Sequence, residues 1–167
     1  TFDVGGTVFD WQTAIRNKVW SFEEDRIGDM DVPQFALDWR RRFFEILATV
    51  RRGDRPWCSA DVVQLDSLNE VLEKYPLQLS DQEKVDMVNV WHAMDVWEDF
   101  PDAIERLRTK YRVIVLTVMS FAIVVDSSRH SGITWDGILS GEFMRHYKPE
   151  SEAYLEAAER LRLDPSE

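Results

Sequence analysis

The chain has 167 residues, 44% of them hydrophobic and 31% charged, a composition that argues against intrinsic disorder and supplies enough apolar side chains for a sizeable core. Its 31 acidic and 20 basic residues leave a formal charge of −11, which disfavours a nucleic-acid partner, because phosphates are gripped by clustered Lys and Arg and the only dense basic run is Arg40-Arg41-Arg42. The single cysteine, Cys58, cannot form an intrachain disulfide, and no stretch resembles a signal peptide or is apolar for long enough to span a bilayer, so a cytoplasmic chain without a membrane partner is expected.

In chain order, the opening Thr1-Phe2-Asp3-Val4-Gly5-Gly6-Thr7-Val8-Phe9-Asp10 reads as a strand end, a glycine turn and a short extended piece, which puts Asp3 where a strand gives way to a loop. Residues 11–99 carry helical periodicity, with apolar side chains three and four apart through Phe35, Leu37, Trp39, Phe43, Phe44, Ile46 and Leu47. The same spacing continues through Val62, Val63, Leu65, Leu68, Val71 and Leu72, and again from Val85 to Met94, so these segments predict a small helical bundle. Thereafter strand and helix alternate. Pro101 opens a helix, residues 111–117 read as a buried strand, and residues 121–131 as a helix closed by Gly132. Residues 135–139 suit a further short strand, and residues 152–161 an amphipathic helix with Tyr154, Leu155, Ala158 and Leu161 on one face.

This order predicts an α/β core of parallel strands, built from residues near both ends of the chain, with a helical module inserted after the first strand. Ligands of such sheets bind at the carboxyl ends of strands, so Asp3, Thr7 and Thr117 are expected to meet in one crevice. The chain opens two residues before Asp3 and closes on Leu163-Asp164-Pro165-Ser166-Glu167, a turn leading into something further, so truncation at both ends is expected.

An aspartate at a strand end, followed by two glycines that expose backbone amides and by a threonine hydroxyl, suits nucleophilic catalysis; taken alone the segment equally suits a tight turn with a capping aspartate. Its weight changes with two later segments. Asp3-Val4-Gly5-Gly6-Thr7-Val8, Val115-Leu116-Thr117 and Tyr147-Lys148-Pro149 resemble, in that order, the first three motifs of the haloacid dehalogenase superfamily: the aspartate followed by glycine and threonine, the hydroxyl residue ending a hydrophobic strand, and the lysine. The resemblance extends over nearly the whole chain and is greatest to the type II 2-haloacid dehalogenases. Leu37-Asp38-Trp39-Arg40 resembles the cap segment whose arginine binds halide and substrate. Gly132-Ile133-Thr134-Trp135-Asp136-Gly137-Ile138-Leu139-Ser140 resembles the segment that precedes the lysine, and Tyr154 resembles the tyrosine six positions after it.

The resemblance implies a Rossmann-like parallel-sheet core, residues 1–12 and 100–167, with an inserted helical cap, residues 13–99. It implies that Asp3 displaces halide from a small 2-halo carboxylic acid and that water hydrolyses the resulting ester to a 2-hydroxy acid. Lys148 would be the counter-ion of Asp3, Thr7 and Thr117 would hydrogen-bond Asp3 or the substrate carboxylate, Arg40 would grip halide or carboxylate with its fork of donors, and Tyr154 would line the substrate site. No metal or other cofactor is needed for that chemistry, and the family implies a homodimer. Blander roles compete for three of these residues: a solvated helix face for Arg40, a surface position for Lys148 and a core position for Tyr154. The tryptophans, among them Trp20, Trp39, Trp57, Trp91 and Trp97, are expected mainly to pack.

Three departures from the family pattern keep other activities in view. Gly5 stands where related phosphatases carry a second aspartate and dehalogenases an aromatic residue, which leaves a smaller side chain near the active site and predicts a substrate of different size. Val118 and Met119 follow Thr117 where dehalogenases place an asparagine, and the fourth motif would lie beyond Glu167. The alternatives are therefore a magnesium-dependent phosphatase of the same superfamily and a catalytically degenerate member of the fold.

Overall fold

The computed structural model describes residues 1–164, so the turn expected at residues 163–167 runs beyond the described residues. Its centre is a short parallel sheet. Strand β1 (Ile114–Thr117) is buried along its whole length, as expected of four consecutive apolar or small side chains enclosed on both faces. It pairs in parallel with β2 (Gly137–Ser140), from Ile114 opposite Gly137 to Thr117 opposite Ser140. Phe2 forms a parallel bridge to Val115 on the other side of β1, through Phe2 N–H to the Ile114 carbonyl and Leu116 N–H to the Phe2 carbonyl, both 2.8 Å. The opening segment thus runs alongside β1, and both lead into loops at the same end of the sheet.

Before the sheet come α1 (Trp11–Trp20), α2 (Glu24–Ile27), α3 (Val32–Arg51), α4 (Ala60–Leu72) and α5 (Asp81–Val88), with a 3-10 turn over Asn89–His92. Side chains at their starts satisfy backbone donors that helices leave unpaired: Asp10 accepts from Thr13 N, Asp31 from Gln34 N, and Ser80 exchanges bonds with Glu83 in a capping box. The remaining helices are α6 (Phe100–Arg108), α7 (Phe121–His130), α8 (Gly141–Met144) and α9 (Ser151–Leu161). Helix α3 packs mainly on α4 and α1, and α7 packs on the 3-10 turn. One apolar core runs from the opening loop (Val4, Val8, Phe9) through the helices (Phe35, Trp39, Leu68, Trp91) to the sheet and α7 (Val115, Ile123).

The fully buried Trp39 ties α3 to α4: its Nε1 donates to the Gln64 carbonyl at 3.0 Å and to Ser67 Oγ at 3.1 Å, and its ring meets Trp91 edge-on. Among the described residues no helix is long and apolar enough to cross a membrane.

Several sequence expectations are corrected. Strand β1 begins at Ile114 rather than at residue 111, because the turn after α6 continues through Tyr111, whose N–H bonds the Leu107 carbonyl, and Asp136 takes the Val113 N–H. The buried face of α9 is Ala153 and Ala157, small residues that allow close approach to Leu116 and Met144; Tyr154 and Leu155 point outward. Trp20 and Trp97 are about half exposed rather than packed. Trp20 stacks under the Arg16 guanidinium, and Trp97 Nε1 donates to the Gly6 carbonyl.

Candidate active site

The loop after Phe2 turns sharply at Gly6, whose φ of 95° lies in the region that favours glycine. The turn closes through Val8 and Phe9 N–H bonds to the Val4 carbonyl. It brings Thr7 back over Asp3, so that Thr7 Oγ1 donates to Asp3 Oδ2 at 3.2 Å. The other carboxylate oxygen, Oδ1, receives Lys148 Nζ at 2.7 Å. Both oxygens of Asp3 are therefore held, while the side chain keeps 42% of its exposure and stays open to an incoming molecule.

Lys148 is placed by its neighbour. Tyr147 is fully buried, stacked on Trp57 with ring centroids 4.6 Å apart, and its hydroxyl donates to the Cys58 carbonyl at 3.1 Å. Its ring lies where any side chain at position 141 would sit: a Cβ on Gly141 would come within 2.5 Å of it. Burial pushes the Tyr147 phenol pKa up, so the ring stays neutral and acts as a wedge. The next residue then projects its ammonium at Asp3.

The arginine run divides according to helix phase. Arg41 pairs with Asp38 at 2.8 Å, and Arg42 with Glu45 at 2.8 Å and Glu70 at 2.6 Å, all on the solvated face of α3. Arg40 turns inward. Its Nη2 donates to the Gly5 carbonyl at 2.9 Å, and its guanidinium lies over the rings of Trp11, Phe44 and Trp91, with centroids 4.7, 4.9 and 5.9 Å away. Among the described residues it has no carboxylate within salt-bridge distance. Burial lowers its pKa to about 10, against an upward pull from the charge of Asp3, so it remains a cation at neutral pH.

Asp3, Gly5, Arg40, Phe44, Thr117, Val118, Met119, Lys148 and Tyr154 line a cavity of about 230 Å³. Five of the six residues singled out from the sequence thus share one cavity, and the sixth, Thr7, bonds Asp3 from behind. Thr117 is buried and its Oγ1 accepts from Met119 N–H at 3.1 Å, so it shapes the loop after β1 as well as the wall. Tyr154 reaches the cavity from the exposed face of α9, which settles the core position against it. Trp11 and Met119 were not legible as site residues; Phe44 was within reach, because it stands one helical turn after Arg40.

Asp3 already carries a lysine and a threonine, position 5 is a glycine, and among the described residues no three His, Cys, Asp or Glu side chains are gathered for a metal ion.

A carboxylate held by a lysine at the end of a parallel strand, faced by a cationic pocket, defines a hydrolase of the haloacid dehalogenase type, and comparison with known proteins agrees. The family model for haloacid dehalogenase-like hydrolases matches residues 1–167, and the chain belongs to that family. Among solved structures it is similar to the L-2-haloacid dehalogenase PA0810, at 28% identity and a TM-score of 0.90 over 98% of this chain and 70% of that one. It is similar too to the defluorinating L-2-haloacid dehalogenase Rha0230, at 28% identity and a TM-score of 0.90 over 98% of this chain and 68% of that one. The L-2-haloacid dehalogenase from Xanthobacter autotrophicus with covalently bound chloropropionic acid shares the fold, at 18% identity and a TM-score of 0.84 over 98% of this chain and 64% of that one. No curated protein matches the chain.

Proposed function

We propose that this hydrolase removes halide from small 2-halo carboxylic acids. The observation that carries the reading is the pairing, across one small cavity, of a restrained carboxylate (Asp3) with a partly buried guanidinium (Arg40) that has no carboxylate of its own among the described residues. A partly desolvated cation without an anionic partner is suited to take an anion from solution. In a dehalogenase two anions are at hand, the substrate carboxylate and the departing halide.

In this reading an Asp3 oxygen attacks the halogen-bearing carbon from the side opposite the halogen. A C–O bond forms, the C–halogen bond breaks, and halide leaves with the bonding pair toward Arg40. The carbon inverts. Water then adds to the carbonyl carbon of the Asp3 ester, the 2-hydroxy acid departs, and Asp3 regains a carboxylate that carries one solvent oxygen. Lys148 and Thr7 hold the carboxylate at a fixed angle through both steps, which is the orientational part of the rate enhancement. The aromatic rings around Arg40 exclude water and strengthen its hold on an anion. A phosphatase of the same superfamily would use a second carboxylate two positions after Asp3 to protonate the leaving alcohol, and Gly5 carries no such group.

The test is halide release from 2-chloropropionate, with phosphate release from a panel of phosphate esters as the competing assay, each with and without magnesium. Metal-independent halide release that disappears in Asp3→Asn supports the proposal, and a single turnover in oxygen-18 water should deliver unlabelled product and labelled Asp3. Magnesium-dependent phosphate release with no halide release would replace it by the phosphatase.

A further inference from the structure

Gly5 lacks a side chain next to the nucleophile, yet the space is not left open. Its backbone lies outside the left-handed region that Gly6 occupies, so the conformation itself admits any residue. What a side chain would have to displace is Met119: a Cβ at position 5 would lie 2.5 Å from Met119 Cε, the far end of a flexible side chain, and 3.4 Å from Arg40 Nη2. Met119 is 3% exposed and lines the same cavity as Asp3 and Arg40.

The backbone of Met119 is pinned while its side chain is adaptable. Its N–H donates to Thr117 Oγ1 at 3.1 Å, and its carbonyl accepts from Ser140 Oγ at 2.6 Å. The loop after β1 is thereby fixed to β1 itself and to the end of β2. From that fixed point an unbranched thioether, with its three rotatable bonds, reaches across to the bare Cα of Gly5. The space left by the missing side chain of Gly5 is thus taken up by the methionine methyl.

We propose that Met119, seated on Gly5, is the specificity-determining residue of the site and restricts the substituent on the reacting carbon to hydrogen or a short alkyl group. The proposal rests on the dehalogenase reading for the identity of the substrate, but on Gly5 and Met119 alone for the size limit. In an apolar pocket a single methylene changes selectivity by roughly 10-fold to 200-fold, so one displaced side chain is enough to redraw the preference.

The experiment compares kcat/KM for 2-chloropropionate and 2-chlorohexanoate in the wild type, Met119→Ala, Gly5→Ala and the double variant, each first shown to be folded by circular dichroism. Met119→Ala should move the ratio toward the longer acid by about tenfold or more. Gly5→Ala should move it the other way, because the displaced methionine swings into the cavity, and that effect should vanish when Met119 is also alanine, a non-additivity expected of touching residues. An unchanged ratio in both single variants overturns the proposal, and Gly5→Ala serves by itself if Met119→Ala does not fold. Failure of the dehalogenase reading is seen separately, as absence of halide release in the wild type. The size limit is then read from quenching of tryptophan fluorescence by propionate and hexanoate, where equal preference in wild type and Met119→Ala, or no binding by either, overturns it.

Discussion

Lys148 Nζ lies 2.7 Å from Asp3 Oδ1, although 145 positions of sequence separate the two residues. The contact depends on two close fits of the residues that directly precede the pair: Tyr147 stacked between Trp57 and Gly141, and Phe2 bridged to Val115. Lys148→Ala should leave the fold intact and lower the rate constant for halide release about a hundredfold or more, the scale on which a preorganised charged partner acts. Steady-state halide release together with circular dichroism checks this; a wild-type rate would remove Lys148 from the reaction.

Arg40 and Arg41 should part company under mutation. Arg40→Ala removes the only guanidinium in the cavity and should cut kcat/KM about a hundredfold, since charge-assisted hydrogen bonds contribute about 1.5–3 kcal/mol. Arg40→Lys keeps the charge but loses the planar fork and the stacking on Trp11 and Phe44, and should recover little. Arg41→Ala breaks an exposed ion pair with Asp38 and should change kcat/KM by less than about twofold. Equal losses at both positions would contradict the division of the run between site and surface.

Trp39→Phe keeps a buried ring but deletes the donor that joins α3 to Gln64 and Ser67 of α4. Ser67 Oγ also donates to the Gln64 carbonyl at 2.9 Å, so that acceptor is not stranded and the cost should be about 1 kcal/mol. Trp39→Ala leaves a cavity in the core as well and should cost about 3–5 kcal/mol. Chemical denaturation midpoints of the two variants separate the hydrogen bond from the packing.

His92 joins three helical segments: its Nδ1 lies 2.7 Å from Asp126 on α7 and its Nε2 3.3 Å from Asp61 on α4. Its pKa is raised above the ordinary 6.5, by the Asp61 contact first, against burial, and then by Asp126; Asp126 is the nearer and Asp61 the more enclosed of the two. Burial pushes Asp61 up, but hydrogen bonds from His92 and Ser120 outweigh it and bring its pKa below the ordinary 3.8. The raised histidine contributes stability that is complete below pH 6.5 and fades as pH rises through its folded value. The lowered aspartate contributes stability that is complete above pH 3.8 and fades as pH falls. The unfolding free energy of the wild type relative to His92→Gln should therefore be greatest between those limits and shrink toward pH 8; a difference that is flat with pH would show that the cluster does not titrate with folding.

Much of this protein was legible before any tertiary contact. The order of the Asp3, Thr117 and Lys148 segments identified the family, and the change from helical periodicity to alternating strand and helix after residue 100 predicted the α/β core. Those features are local: a strand end, a glycine turn and a helical repeat each follow from the backbone preferences of neighbouring residues.

Three matters depended on packing between segments far apart in sequence. The family resemblance singled out Arg40 from its neighbours, but the competing role, a solvated helix face, was set aside only by the phase of α3, in which Trp39 is buried, Arg40 faces the cavity and Arg41 faces water. The face of α9 that packs is its pair of alanines, set against Leu116 and Met144, rather than its larger apolar residues. The glycine at position 5 implied a smaller side chain beside the nucleophile, and only the structure places Met119, held by Thr117 and Ser140, against it. Sequence by itself determined which groups exist and in what order. The shape of the cavity they enclose was decided by close packing, in which the volume open at one residue depends on side chains supplied by distant ones.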